Sequence, residues 1–476
     1  MRRILSAARL RALAYAAAAA ISGSQQLPAQ AILQDVTLSP FVIGYNVVVN
    51  NGAVGGVMID ARGVVTRANT DAEDRLRVAR EKALQPLSAD LDRASELRKV
   101  SLRGLEQAIT ELRLKNQGVT DAIQNLAGLQ RIRYVFVDPQ RRDIILAGPA
   151  EGWKVGPQGA VVGRKSGMPV LQLEDLVFAL RTAEAASKEP ISCSIDPTSE
   201  GVQRFTRLVK TPGLAINDAA LRRLEAAVGP QRITITGVPS DSRFARVMVA
   251  ADVLMKRLAM GFEPSPVKGL PSYLEMLERG EGSVPQGTMP RWWLTPKYEP
   301  LLRDGEGLAW ELRGPGVQAM TEDTLFTTEG NAKRTGKTNP LAKRWADAFT
   351  DKYGELSAEL PIFAELRNCT DLAVAAALIA KHNLAAKARF DMPLLRSTSD
   401  IKPASLAVPK TIASQANAVR KGSQWIVTVS GGVEIDSWAI ADKADTEASV
   451  PQKSAVTLAK TREISATPPP RRWWWD

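Results

Sequence analysis

The sequence contains very little histidine and cysteine. Its 476 residues include one histidine, His382, and two cysteines, Cys193 and Cys369. These counts exclude a histidine-rich zinc site, a four-cysteine cluster and a scaffold held by many disulfides. A serine-hydrolase triad would depend on His382 alone, and the G-x-S-x-G motif is missing from the sequence. We therefore predict no metal site and no cofactor, and we interpret both cysteines as buried core thiols, although export would permit a disulfide between them.

The first thirty residues have the pattern of an export signal. Residues 2–11 contain four arginines and no acidic residue, and residues 12–21 form an alanine-rich apolar run. An A-x-A cleavage pattern follows at residues 29–31, which places the mature start near Ile32. We predict the general secretory route, with a twin-arginine route and a frayed amphipathic helix as alternatives. The processed protein is expected in the periplasm or associated with the cell envelope.

Long apolar runs are missing from the rest of the chain. A membrane-spanning helix needs about 18 uncharged apolar residues, and the nearest approach, residues 372–380, is about half as long. With 45% hydrophobic and 24% charged residues, the composition is that of a globular chain long enough for two or three domains. We therefore expect no membrane-spanning segment after signal cleavage.

The net charge is positive but modest. Removing the signal takes away four arginines, so the net charge falls from +11 to +7. Such an excess favours anionic neighbours such as acidic envelope polymers or lipid head groups. Nucleic acid is a poor candidate outside the cytoplasm, and no recognition motif for it is present.

The alternation of strand and helix patterns predicts an α+β fold with mixed sheets. Alternating apolar residues predict β-hairpins at residues 57–65 and 134–146, and the spacing from Leu102 to Leu112 predicts a helix. Asn217 and Ser242 are predicted to cap two further helices, and the Pro/Gly-rich region from 263 to 316 interrupts this regularity. The expected architecture has β-hairpins, a charged helical insert and a central α/β-like body. Its segments are a signal peptide (1–31), an N-terminal β-region (32–70), a helical segment (71–130), a central α/β body (131–262), a Pro/Gly/Trp-rich region (263–316), a helical region (317–395), a C-terminal strand region (396–442) and a disordered tail (443–476).

One short sequence occurs twice. Residues 55–60 and 431–436 share five of six positions. We interpret them as two similar strand starts, because nothing around them matches; the alternative is that both ends of the chain contribute related strands to one sheet or to neighbouring chains.

Several phrases resemble one bacterial family. They are residues 146–153, 191–198, 241–246, 269–274, 290–294 and 320–323. The family consists of exported proteins grouped under domain of unknown function 1598, and the resemblance extends over roughly residues 55–438. It implies export and a single elaborate module, and it brings no activity, ligand or catalytic residue to this chain.

Acidic residues within the resembling region are the candidates for catalysis. Glu174, Asp196 and Glu322 lie among scattered tryptophans, a combination that glycan cleavage or glycan binding would use. The structural interpretation is that such acids serve first helical turns and that the tryptophans belong to the core. The sequence favours the structural interpretation.

A basic segment overlaps the glycine-containing residues 330–338 and extends into the residues that follow. That run has five residues between its glycines, whereas a phosphate-binding loop needs four, so we predict a flexible basic loop. Its cations, together with two from the following helix, are candidates for binding an anionic partner: Lys333, Arg334, Lys337, Lys343 and Arg344.

The carboxyl terminus combines cations with interfacial aromatic residues. We expect the tail to be disordered and to contact a membrane or a binding partner through Arg471, Arg472, Trp473, Trp474 and Trp475.

Residues 163–180 locally resemble the strand and helix of a PDZ domain, which would bind a chain terminus by strand addition. The carboxylate-binding loop that should precede them is missing.

These observations favour a non-enzymatic binding or assembly module of the cell envelope. Its partner would be an envelope protein or an anionic polymer, with peripheral membrane contact through the tail. The alternative is a hydrolase that acts on envelope glycans through Asp/Glu pairs. The sequence leaves the oligomeric state open.

Overall fold

Two β-sheets with helices packed against them form the framework of the chain. The computed structural model describes residues 41–43, 57–60, 62–67, 84, 86–156, 160–211, 217–283, 288–326, 332–418, 425–427, 430–443, 458, 460–462 and 472–476. All of these belong to the unit Pro40–Asp476. The predicted signal peptide lies outside the described residues. Among the described helices, none combines the length and the apolar character that a membrane crossing requires.

The strands are distributed along the whole described chain. In order they are β1 (Phe41–Ile43), β2 (Val57–Ile59), β3 (Val64–Arg67), β4 (Ser95–Ser101), β5 (Tyr134–Asp138), β6 (Asp143–Ala150), β7 (Trp153–Val155), β8 (Val161–Gly163), β9 (Ile191–Asp196), β10 (Gln231–Thr236), β11 (Thr288–Lys297), β12 (Leu302–Arg303), β13 (Ala309–Glu311), β14 (Gly316–Phe326), β15 (Ala332–Arg334), β16 (Ile401–Pro403), β17 (Thr411–Ile412), β18 (Ala416–Ala418), β19 (Trp425–Val427), β20 (Gly431–Ile435) and β21 (Trp474–Trp475).

The helices fall mainly between these strands. They are α1 (Ala89–Asp92), α2 (Leu102–Leu114), α3 (Asp121–Gln124), α4 (Leu173–Thr182), α5 (Ser199–Val209), α6 (Asp218–Val228), α7 (Arg243–Ala259), α8 (Tyr273–Glu278), α9 (Pro340–Asp351), α10 (Tyr353–Glu359), α11 (Pro361–Lys381), α12 (Leu384–Ala388), α13 (Pro393–Arg396) and α14 (Ser437–Lys443). Mixed sheets with interspersed helices confirm the predicted α+β class.

The larger sheet has nine strands in the order β15-β14-β11-β20-β9-β10-β17-β3-β2. The pairs β11–β20 and β17–β3 are parallel, and the other neighbours are antiparallel. The two short sequences that resemble one another, at 55–60 and 431–436, contribute β2 and β20 to this sheet. The alternative interpretation, that both ends of the chain supply strands to one sheet, is therefore correct.

The smaller sheet has six strands in the order β12-β13-β5-β6-β4-β21. All of its neighbouring pairs are antiparallel. Its last strand, β21, comes from the extreme carboxyl end of the chain and lies at the edge formed by β4. This sheet therefore joins segments that are nearly 380 residues apart in sequence.

Helix α11 connects the cores of the two sheets. Phe363 and Leu366 pack with the core that includes α7 and the larger sheet, whereas Leu372 and Leu378 pack with the core of the smaller sheet. The helix is buried along almost its entire length, because its apolar residues occupy every face. One helix thus belongs to both cores.

Local sequence signals set several helix starts as predicted. The side chain of Asn217 accepts a hydrogen bond from the backbone N–H of Ala220, and Ser242 caps α7 through Ala245. Both hairpins are present, β2–β3 and β5–β6, and α2 buries Leu102 and Leu105. These parts of the fold confirm the predictions.

Three segments differ from the predictions. The helical description of residues 71–130 is wrong at β4, because Arg98 and Lys99 are buried in a sheet instead of lying on a solvated helix. The Pro/Gly/Trp-rich region at 263–316 does not lack regular structure, since it contains α8, β11, β12 and β13. The helical region at 317–395 begins with most of β14. At β4, sheet pairing with distant segments overrides the local helical pattern.

The predicted disorder of the tail is wrong for its last five residues. Residues 472–476 lie against β4, where Trp474 and Trp475 are buried. Leu458 is also buried. Residues 444–457, 459 and 463–471 lie outside the described residues, and so does Arg471.

Candidate functional site

The carboxyl-terminal strand covers the edge of β4. Trp474 pairs with Val100 and Trp475 pairs with Lys99, in antiparallel register. The backbone N–H of Ser101 donates a hydrogen bond of 2.8 Å to the carbonyl oxygen of Trp473. Uncovered edge strands present unpaired backbone groups, which attract other chains. The added strand satisfies this edge by the same pairing that peptide-binding domains use.

A fully buried arginine on β4 binds the last residue of the chain. The Nε of Arg98 donates a 2.8 Å hydrogen bond to Oδ1 of Asp476, and its Nη2 lies 3.3 Å from Oδ2. The Arg98 Nη atoms also donate to four backbone carbonyls, those of Asp90, Leu91, Arg93 and Ala127. Because these carbonyls hold the planar guanidinium, it presents a pre-oriented fork to the carboxylate.

Two further interactions favour a charged carboxylate at this position. Arg93 donates to Oδ2 of Asp476 at 2.9 Å from an exposed position. Burial acts to raise the pKa of the Asp476 carboxyl, but hydrogen bonds from Arg98 and Arg93 outweigh it, so the pKa is lowered. The site therefore favours the ionised form of the Asp476 carboxyl.

The two tryptophans of β21 point to opposite faces of the sheet. Trp474 is 8% exposed and packs into the core that contains α2, whereas Trp475 is 5% exposed and packs beside Phe136 and Ile145. The Arg98 guanidinium lies 4.9 Å from the centre of the Trp474 ring. A buried aromatic side chain removes about 150–250 Å² from water, so the tryptophans anchor the strand.

A glycine in the first turn of α2 makes room for the strand. A Cβ atom added to Gly104 would lie 2.9 Å from the Cβ of Trp473 and 3.0 Å from its Cα. Both distances are shorter than ordinary van der Waals contact. The backbone of the terminal strand approaches α2 closely only because this position has no side chain.

A second contact lies upstream of the terminal strand. Leu458 is 3% exposed and belongs to the same small cluster as Trp475. Arg462 forms ion pairs with Asp304 at 3.3 Å and with Glu306 at 3.0 Å. We call the described residues 458, 460–462 and 472–476 the carboxyl-terminal arm. The arm touches the smaller sheet in two places.

This environment corrects the interpretation of the tail. Of its aromatic residues, Trp473 is half-buried and Trp474 and Trp475 are buried, so their rings are not free for a membrane surface. Arg472 is exposed and pairs with Asp90 at 2.5 Å.

The PDZ-like phrase does contain a strand and a helix, β8 and α4, but the terminal strand is added at β4. Sequence analysis named the tail residues and missed Arg98, for which a buried arginine in a strand gives no local signal.

The first candidate acid, Glu174, lies in a buried cluster of charges. It occupies the first turn of α4 beside Asp175, and Arg243 donates hydrogen bonds to Asp175 and, at 2.6 Å, to Glu365. Burial and the charge of Asp175 raise the pKa of Glu174 to about 8, against the opposing charges of Arg243 and Arg246. The cluster joins α4, α7 and α11, and it is closed to any large substrate.

The other two candidate acids lie on separate elements. Asp196 ends β9 opposite Arg232, and it is half-buried. Glu322 lies on β14, where it pairs with Arg334 at 3.1 Å and accepts a 2.7 Å hydrogen bond from the N–H of Gly336. The three acids have different surroundings: Glu174 lies beside Asp175, Asp196 lies opposite Arg232, and Glu322 is paired with Arg334.

Most of the tryptophans proposed for glycan contact belong to the core. Trp153, Trp292 and Trp310 are at most 2% exposed. Trp293 is half-buried on the outer face of the larger sheet, with the guanidinium groups of Arg291 and Arg334 at 5.4 and 5.6 Å from its ring. The structural interpretation of these residues is confirmed for the three buried tryptophans.

The candidate anion-binding residues are partly neutralised by nearby acids. Arg334 pairs with Glu322, and two members of α9 have acidic partners: Lys343 pairs with Asp347 at 2.6 Å and Arg344 with Glu281 at 3.3 Å. Lys333 and Arg334 belong to strand β15, which corrects the prediction of a flexible loop there. Lys333 and Lys337 are exposed.

The sparse histidine and cysteine have structural positions. Cys193 and Cys369 are buried free thiols, and burial raises the pKa of both. His382 follows the last turn of α11, with its ring 4.4 Å from the ring of Trp310. Among the residues that the structure describes, no group of His, Cys, Asp and Glu could hold a metal ion.

A segment near the middle of the chain matches a known protein family. Residues 193–273 match the family described as "Protein of unknown function (DUF1598)". This match confirms the predicted resemblance over the segment that contains β10 and α7. The DUF1598 segment does not include β4, Arg98 or the carboxyl-terminal arm. No curated protein and no solved structure matches the chain.

Proposed function

We propose that this chain is a non-enzymatic protein-binding module whose site is the edge of β4. The site binds an extended strand that carries two tryptophans followed by an acidic residue. The observation that carries the proposal is Arg98, a fully buried arginine that four carbonyls hold in place and that pairs with Asp476. In this structure the occupant is the chain's own terminus.

Backbone pairing and side-chain recognition have different roles at this site. Pairing with β4 favours any extended peptide, whereas specificity comes from the pockets for alternate side chains. Here the pockets of Trp474 and Trp475 lie on opposite faces, and Arg98 and Arg93 recognise the acid. Three of the five candidate cations for an anionic polymer are already paired with acids. A protein is therefore the better partner.

A peptide titration tests the proposed function. In a full-length variant with Trp474→Ala and Asp476→Arg, the chain's own strand no longer fills the site. We expect this variant to bind a labelled hexapeptide of residues 471–476 with 1:1 stoichiometry and a dissociation constant on the order of micromolar, measured by fluorescence anisotropy. The absence of saturable binding would reject the proposal.

We also propose that the chain is exported to the cell envelope. The arginine-rich start, the short apolar run and the A-x-A pattern at residues 29–31 support this location. We expect protein purified from the envelope fraction to begin near Ile32, as measured by intact mass. Unprocessed protein confined to the cytoplasm would contradict export.

A further inference from the structure

We infer that Arg131 and Arg367 bind a tetrahedral oxyanion, either as a free ion or as the phosphate group of a phosphomonoester. Arg131 precedes β5 of the smaller sheet, and Arg367 lies on α11. Both approach Gly316, at the point where the turn after β13 leads into β14. This site shares no residue with the β4 edge, so it goes beyond the proposed function and is tested independently of it.

The carboxylate of Asp371 is saturated by hydrogen-bond donors. Arg131 binds it through two nitrogens: its Nε lies 3.1 Å from Oδ2 and its Nη2 lies 3.1 Å from Oδ1. The hydroxyl of Tyr298 donates to Oδ1 at 2.6 Å, and the backbone N–H of Ile132 donates to Oδ2 at 3.3 Å. An ionised carboxylate has about four acceptor positions, so Asp371 has none left for a second arginine.

Arg367 is a second buried cation beside this pair. It lies one helical turn before Asp371 on α11, is 8% exposed, and has a buried Nε without a hydrogen-bond partner. Within the ranges that the structure describes, neither a hydrogen bond nor an ion pair of Arg367 is found. The pKa of Arg367 is lowered by burial and by the charge of Arg131. Because a buried charge is unfavourable without a partner, this guanidinium attracts an anion.

Gly316 provides space beside both arginines. A Cβ atom added to Gly316 would lie 2.7 Å from Cγ of Arg367 and 3.5 Å from Nη2 of Arg131. The backbone φ of +89° also favours glycine at this position. The two arginine side chains therefore meet at one residue that has no side chain of its own.

The available donors favour a tetrahedral oxyanion over a carboxylate. The fork of one guanidinium is enough to satisfy the two oxygens of a carboxylate. Here all N–H groups of Arg367 are joined by a second N–H on each Nη of Arg131, whose other N–H groups bind Asp371 and the carbonyl of Gly314. Phosphate and sulfate carry more oxygens and can accept from both arginines. Since the Arg131 side chain is only 17% exposed, the site admits a small ion or the end of a larger molecule.

Isothermal titration calorimetry of the full-length protein with inorganic phosphate tests the site. At constant ionic strength, we expect 1:1 binding to the wild type with a dissociation constant on the order of 0.1 mM. Arg367→Met should weaken binding at least about tenfold, because charged hydrogen-bond donors are lost. If this variant does not fold, Arg367→Lys replaces it, because lysine keeps the charge and lacks the planar fork.

Arg313→Met is the matched control. Arg313 lies beside the same turn, but it is already paired with Glu299 at 3.1 Å, so phosphate binding should persist in this variant. In thermal unfolding, phosphate should raise the melting temperature of the wild type and of Arg313→Met, and not that of Arg367→Met. Equal weakening of phosphate binding by the two substitutions would overturn the assignment to Arg367.

Other anions identify the ligand. Sulfate should bind comparably to phosphate, and acetate at least about tenfold more weakly, because a carboxylate cannot accept from both arginines equally well. Phenyl phosphate distinguishes the two sources: affinity equal to that of phosphate indicates a phosphomonoester, weaker binding indicates a free ion, and both results support the site. The absence of saturable phosphate binding, or acetate binding as tight as that of phosphate, would refute it.

Discussion

Replacing Arg98 with methionine should lower the free energy of unfolding by about 3 kcal/mol, because four backbone carbonyls and the Asp476 carboxylate lose a hydrogen-bond donor. The substitution leaves the carboxylate of Asp476 without its main donor and four backbone carbonyls without a guanidinium. Urea unfolding at a fixed protein concentration, followed by tryptophan fluorescence, measures the change.

Arg93→Met is the matched control for this experiment. Arg93 contacts the same carboxylate at 2.9 Å, but its side chain is 66% exposed, so we expect little change in stability. A double-mutant cycle with Asp476→Asn separates the pairing with the strand from the bonds to the carbonyls. Equal losses for Arg93→Met and Arg98→Met would contradict the assigned importance of the buried guanidinium.

The second large effect concerns the pH dependence of stability. Burial raises the pKa of Glu174 from 4.5 to about 8. The stabilisation from its neutral form is therefore complete below pH 4.5 and is lost as the pH rises through about 8. The Glu174→Gln variant stays neutral at this position. It should therefore lack the decrease of about 2–5 kcal/mol in the free energy of unfolding that the wild type shows between pH 5 and pH 9, at about 1.4 kcal/mol per pKa unit.

Thermal unfolding across this pH range measures the effect. The wild-type melting temperature should fall towards pH 9 more steeply than that of Glu174→Gln. Glu184→Gln is the control, because its side chain is 72% exposed and the same amide replaces a carboxyl group. Parallel melting curves for wild type and Glu174→Gln would show that Glu174 does not titrate in this range. The groups facing Glu174 are Asp175, Arg243 and Arg246.

Local signals predicted the elements that depend on near neighbours. The helix starts at Asn217 and Ser242 follow from side chains that cap the next turn, and the β5–β6 hairpin follows from apolar alternation around a turn. The spacing of apolar residues likewise predicted the buried face of α2. Each of these patterns is complete within about twenty residues of sequence.

Elements that depend on distant partners were not predictable in this way. The sequence of β4 contains Glu96, Arg98 and Lys99, which are typical of an exposed helix, and only β6 and β21 make it a strand. β11 lies in the Pro/Gly/Trp-rich region, and Pro290 and Pro296 do not prevent it from pairing along its whole length with β14. The pairing of β4 with β21, across more than 370 residues, has no periodic signature.

The candidate site also has one part that the sequence indicates and one part that depends on distant residues. Composition identified the tail as unusual, because cations next to three tryptophans stand out in any chain. The place where the tail packs depends on Arg98 and Gly104, which lie about 370 residues earlier and have no distinguishing spacing. A buried arginine is recognisable only when the carbonyls that surround it are known.

The central claim is that the β4 edge recognises a strand with two tryptophans followed by an acidic residue. Its most direct test is to titrate the full-length variant with Trp474→Ala and Asp476→Arg with three peptides. These are the native sequence 471–476, the same peptide with Asp476→Asn, and the same peptide with Trp474→Ala. We predict saturable binding of the native peptide, at least about tenfold weaker binding of the other two, and no binding when Gly104→Leu is added. Equal affinity for all three peptides, or binding that survives Gly104→Leu, would contradict the account.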